Sequence, residues 1–62
     1  MKVLETRTVN TYYGSIFKEL RVYHEDDPSK TYWAVSSETN VVGVDTLFPF
    51  ESEEVARFSF SM

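Results

Sequence analysis

The sequence predicts an α+β fold: a small antiparallel sheet of three to four strands, a meander, with a short C-terminal helix. Three observations carry this expectation. Eight valines, one isoleucine, six threonines and ten aromatic residues make up 25 of the 62 positions, and such stiff or flat side chains suit a pleated, half-buried surface better than a helix. Apolar and polar residues alternate through two long stretches on either side of Gly14, which is the period of a strand. Ser52-Glu53-Glu54 has the chemistry of a helix start, a hydroxyl to cap the first N–H groups and acids where the helix dipole favours them.

The first strand stretch runs from Val3 to Tyr13 and the second from Ile16 to His24. Gly14-Ser15 lies between them and suits a two-residue type II′ hairpin turn, which needs a glycine at its first central position. That turn sets Tyr13 against Ile16, Val9 against Leu20 and Arg7 against Val22. One face then carries Val3, Val9, Tyr13, Ile16, Leu20 and Val22 and reads as core. The other carries Thr6, Thr8, Asn10, Glu19 and Arg21 with Leu4, Tyr12, Phe17 and Tyr23, and reads as mixed and partly wet.

His24 to Lys30 contains no apolar side chain, and Asp27-Pro28 initiates a turn. Thr31 to Ser36 is the third strand, with Trp33 and Val35 on one side and Tyr32 and Ala34 on the other. Ser37 to Asn40 reads as a polar turn. Val41 to Val44 reads as a fourth short strand, with Gly43 marking a bulge or a close backbone approach. Leu47 to Phe50 is an apolar arm that Pro49 keeps from being a central strand. In the last segment Val55, Phe58 and Met62 fall on one helical stripe, whereas Ala56, Phe58, Phe60 and Met62 alternate as a strand would. The cap chemistry favours the helix, which would give the sheet its second layer. An all-β fold is the alternative.

Length and composition bound the function. Sixty-two residues make one domain, residues 1–62, with a small core. No cysteine is present and only one histidine, His24, so neither a disulfide nor a thiolate or histidine-rich metal site is expected. No apolar run approaches a membrane span and no signal-peptide pattern opens the chain, so the expected location is cytoplasmic, or the host cytoplasm for a phage-encoded chain. Charge is uneven. Ten acids oppose six bases for a net −4. The first thirty residues are neutral, and all the net charge falls in residues 31–62.

Reactive chemistry is absent from the pattern. His24-Glu25-Asp26-Asp27 is the one cluster with metal-ligand or acid–base character, but neighbouring loop residues rarely converge on one ion and no calcium-loop pattern surrounds them. No nucleophile motif or phosphate loop occurs. An enzyme, a metal and a cofactor are therefore not expected.

What remains is surface. Tyr12, Phe17, Tyr23 and Trp33 are candidate anchors on a partner, since tyrosine and tryptophan carry much of the binding energy at interfaces. Glu25, Asp26, Asp27, Glu53 and Glu54 would then supply complementarity to a larger protein with a basic surface. If these two acidic runs come together, they form an acidic side. The blander reading is that the acids solvate turns and cap the helix, and that the rings fill the core. A second class is a single-stranded nucleic-acid binder using Arg7, Lys18, Arg21 and Lys30 beside the rings, which the net charge opposes. A third is a structural subunit of a larger assembly. Apolar surface left uncovered at an edge or face would support a homodimer.

This profile, very short, acidic, cysteine-free, aromatic-rich and without a catalytic signature, resembles that of the accessory proteins that bacteriophages and mobile elements encode to bind and redirect a host protein. The resemblance is one of profile and rests on no particular residue.

Overall fold

The structure, a computed structural model, describes residues 1–39 and 45–62. Four strands, β1 (Lys2–Thr11), β2 (Gly14–Tyr23), β3 (Tyr32–Thr39) and β4 (Thr46–Phe50), are followed by one helix, α1 (Glu53–Phe60). The strands form a single antiparallel sheet in the order β1-β2-β3-β4, and α1 lies on one of its faces. This is the α+β meander with a C-terminal helix that the sequence predicts.

The first hairpin turns two residues earlier than Gly14-Ser15. Tyr12 and Tyr13 make the turn, and Thr11 pairs with Gly14, Val9 with Ile16 and Arg7 with Lys18. The Thr11 hydroxyl decides the place: it accepts from the Tyr13 N–H at 3.2 Å and donates to the Gly14 carbonyl at 2.6 Å. Gly14 is still the residue that needs to be glycine, at φ 139°, but it closes the turn rather than forming its centre. The displacement is even-numbered, so Val9, Ile16, Leu20 and Val22 keep their common face.

A bulge between Val3 and Glu5 does change faces. It inserts Leu4 as an extra residue. Leu4 therefore packs on the core and Val3 turns to the uncovered face opposite Arg21, the reverse of the expected assignment. Tyr13 is likewise not core but lies exposed at the hairpin tip.

β3 runs on to Thr39, so Ser37 to Thr39 are strand and not turn. The ten-residue β2 supplies their partners in Lys18, Phe17 and Ile16. The predicted strand at Val41–Val44, with Gly43, lies outside the described residues. The arm at 47–50 is the edge strand β4, where proline is tolerated because its missing N–H can face away from the sheet. Between β2 and β3 the loop is tight. His24 takes φ 55°, and its carbonyl accepts from Asp27 N–H at 3.0 Å and from the Thr31 hydroxyl at 2.8 Å.

Leu20, Val35, Ala56 and Phe60 form the buried core, with Leu4, Trp33 and Phe50 packed against it. Ala56 has no side chain beyond Cβ, so the helix approaches the sheet closely there. Ser52 caps α1 as its sequence suggests, with extended backbone and its side chain accepting from Val55 N–H at 3.4 Å.

The expected helical stripe is not the one that packs. Ala56 and Phe60, one turn apart, face the sheet, while Val55, Phe58 and Met62 are 51, 68 and 75% exposed. Three polar ties set this rotation. Arg7 Nη1 donates to the Phe60 carbonyl at 3.0 Å. Lys18 Nζ donates to the main-chain oxygens of Ser59 and Met62 at 3.3 and 3.2 Å. Arg57 pairs with Glu5 on β1 at 3.0 Å. Two cations at the C-terminal end of a helix also complement its dipole.

Two substitutions test this description by urea denaturation. Leu20→Ala removes the centre of the core and is expected to destabilise by about 2–5 kcal/mol. Ser52→Ala is expected to cost about 1 kcal/mol. A loss for Leu20→Ala no larger than that of the cap would place the core elsewhere.

Candidate functional site

The molecule is elongated, with extents of 40 × 19 × 14 Å, and its long dimension matches the roughly 33 Å length of a ten-residue strand. Its two ends differ in chemistry. At one end lies the 24–31 loop between β2 and β3. Antiparallel β4 finishes at the same end, with Phe50 across from Trp33, and Glu51 and the first turn of α1 follow it. Ser29, Tyr32, Leu47, Pro49 and Glu51 line one open depression there, of about 790 Å³. Topology thus brings Glu25, Asp26 and Asp27 to the same end as Glu51, Glu53 and Glu54. Asp27 is partly occupied, accepting from Ser29 N–H at 3.1 Å and its hydroxyl at 2.7 Å. Glu53 pairs with Arg57 at 2.9 Å. The carboxylates of Glu53 and then Glu5, both hydrogen-bonded to Arg57, raise its pKa.

At the other end Tyr12 and Tyr13 project from the hairpin tip, 96 and 81% exposed, with their rings edge to face at 5.2 Å. The remaining candidate anchors do not join them. Phe17 sits on the uncovered face between Thr8 and Glu38, 40% exposed. Tyr23 is six residues further along β2, about 20 Å away by strand rise, with its ring stacked on Tyr32 at 4.8 Å. Trp33 is on the opposite face, half-buried against the core.

The uncovered sheet face has no helix but is not bare. Arg21 Nε donates to Glu19 Oε1 at 3.1 Å, its Nη2 binds the same oxygen, and its Nη1 donates to the Tyr23 hydroxyl at 3.2 Å. Ser36 Oγ completes the group at 3.5 Å from Glu19. The two charged side chains are only 19 and 18% exposed. They share this face with Ala34 and Ser36, both buried, and their aliphatic stems do the covering. The hydrogen bonds Arg21 donates to Glu19 raise the Arg21 pKa. The face is therefore polar at its centre and apolar at Phe17, Val3 and Leu47.

The four candidate bases for a nucleic-acid surface are dispersed. Arg7 and Lys18 hold the helix end on one face, and Arg21 holds Glu19 on the other. Lys30 stands on the exposed loop. Burial and the neighbouring Arg7 lower the Lys18 pKa. Among the described residues no group of three or more His, Asp or Glu is placed to hold a metal, and no helix is long and apolar enough to cross a membrane.

The surface that sequence reasoning missed is the outer stripe of α1. Arg57 reaches β1, so it marks that flank of the helix. Val55, two residues earlier and about 200° round the axis, is turned away from β1 toward the β4 side, where Phe48 is also exposed at 58%. A signal existed. Val55 and Phe58 lie across the helix from Ala56 and Phe60 at about 100° per residue, and a short helix on a four-stranded sheet can bury only one side.

No family model matches the chain, and no curated protein and no solved structure matches it.

Two neighbouring phenylalanines should separate the inner from the outer helix face. Phe60→Ala is expected to destabilise by about 3–5 kcal/mol, whereas Phe58→Ser is expected to stay within about 0.5 kcal/mol of the parent. Equal losses in chemical denaturation would show that both rings are core.

Proposed function

We propose that this chain is a protein-binding module that acts by covering a surface on a larger partner, in the manner of the small accessory proteins with which phages redirect host enzymes. The observation that carries this reading is the outer stripe of α1. Val55 and Phe58 stay exposed on a helix that has already buried Ala56 and Phe60, and Met62, two residues past its end, is exposed beside them. Exposed apolar side chains in a row are costly to keep unless something covers them.

The acids support the character of the partner. Glu51, Glu53 and Glu54 stand at the start of that helix, and Glu25, Asp26 and Asp27 share the same end. A basic surface on the partner would be steered toward this end before the apolar stripe docks. Tyr12 and Phe17 are further candidate contacts, at the tip and on the uncovered face.

Capture from a bacterial lysate with tagged protein tests the reading. One stoichiometric protein is expected, its binding abolished by Phe58→Ser together with Met62→Ser while the thermal transition is unchanged. Binding of single-stranded DNA or RNA that weakens steeply with salt, with no protein captured, would replace this reading by the nucleic-acid one.

A further inference from the structure

We propose that two copies of this chain join through their β1 strands into one eight-stranded antiparallel sheet, in the register that sets Glu5 across from the partner's Arg7. This inference is independent of the partner proposed above and uses a different surface.

The sheet order leaves two edges. β4 is five residues long and contains Pro49, which cannot donate to an added strand. β1 is ten residues long and contains no proline. The two-residue turn closes on the pair Thr11 and Gly14, and hydrogen-bonded pairs alternate from there. Thr11, Val9 and Arg7 therefore exchange backbone bonds with β2. Thr6, Thr8 and Asn10 present their N–H and C=O groups at the free edge, and all three residues are exposed. Among the described residues no strand pairs with that edge.

A two-fold axis normal to the sheet keeps each residue on its own face, so only registers centred on a residue are allowed. Centring on Arg7 or on Glu5 sets like charges directly opposite. Centring on Thr8 sets Arg7 against Val9 and leaves the charges unmatched. Centring on Thr6 pairs each Glu5 with the partner's Arg7 in the close, non-hydrogen-bonded position, where side chains approach most nearly. The Thr6 backbones then exchange two hydrogen bonds across the axis, and Thr8 meets the partner's bulged Leu4, where the joined segment ends. Both charged groups face the helix side. Glu5 holds Arg57 there and Arg7 holds the Phe60 carbonyl, so the axis would be lined by Arg57, Glu5 and the partner's Arg7 in alternating sign.

The size of the core gives this assembly a reason. Leu20 is the only large side chain buried almost completely among the described residues, and the chain has no cysteine. Domains below about 70–80 residues usually need a staple, and oligomerisation is one of them.

Sedimentation equilibrium and exchange of partners test the proposal. The wild-type protein is expected at twice the 7.2 kDa chain mass. Thr6→Pro, which removes an outward N–H, is expected at the single-chain mass with its sheet retained by circular dichroism. Glu5→Lys and Arg7→Glu each place two repelling pairs at the axis, and each alone is expected to self-associate about tenfold more weakly or worse. Mixed one to one, they form two attractive pairs and are expected to give a heterodimer that recovers most of the loss. That recovery cannot come from contacts within one chain, so it decides the matter even if Thr6→Pro fails to fold. A wild-type protein that stays at the single-chain mass at millimolar concentration overturns the proposal, as does a mixture that forms no heterodimer.

Discussion

Everything distinctive in this molecule depends on how α1 is held against β2 and β3. Leu20 and Val35 provide a small apolar floor, and Ala56 and Phe60 close it. The apolar contact alone would leave the helix free to roll, since Val55, Phe58 and Met62 offer a second stripe of similar character. Arg7, Lys18 and Arg57 remove that freedom. Arg7 also lies over the Phe60 ring, 5.9 Å from its centre, within the range of a cation–π contact. Directional polar contacts choose between two hydrophobic faces that burial by itself would not distinguish.

The same economy of parts appears on the other side of the sheet. A single-layer sheet needs both faces managed, and a chain of this length has one helix to give. The structure uses a charge pair in place of a second helix. Glu19 and Arg21 lie along one strand on the same face, two residues apart, and are drawn together with the Tyr23 hydroxyl and Ser36. Small side chains at Ala34 and Ser36 leave room for their stems. The Tyr23–Tyr32 stack extends that cover toward the loop end. A partly buried ion pair gives back much of its Coulombic gain in desolvation, so the value of this one lies in shielding backbone and apolar atoms from water.

These two devices determine what the surface can offer. Three of the four candidate bases, Arg7, Lys18 and Arg21, are drawn to carbonyls and a carboxylate, and Lys30 stands exposed on its loop. Acids gather at the loop end because β2, β3, β4 and α1 all reverse there, and aromatic rings stand free at the hairpin tip. Apolar side chains remain on the outer helix face because the inner face was filled first.

The sequence by itself determined the class of fold, the start of the helix through its cap at Ser52, the placement of Trp33 and Val35 together on one side of their strand, and the exclusion of Pro49 from a central strand. These follow from local chemistry, from backbone propensity, alternation and the geometry of single residues, which neighbours in sequence dictate. It left the turn two residues out of place, because glycine at 14 suits both the centre and the close of a hairpin and only the Thr11 hydroxyl bonds distinguish them. It could not reveal the Leu4 bulge, which exchanges Leu4 and Val3 between faces, nor which stripe of α1 lies inward. Those were decided by tertiary structure, since each depends on groups more than fifteen residues apart in the chain meeting in space: Leu4 with the core, Arg7 with Phe60, and Lys18 with Ser59.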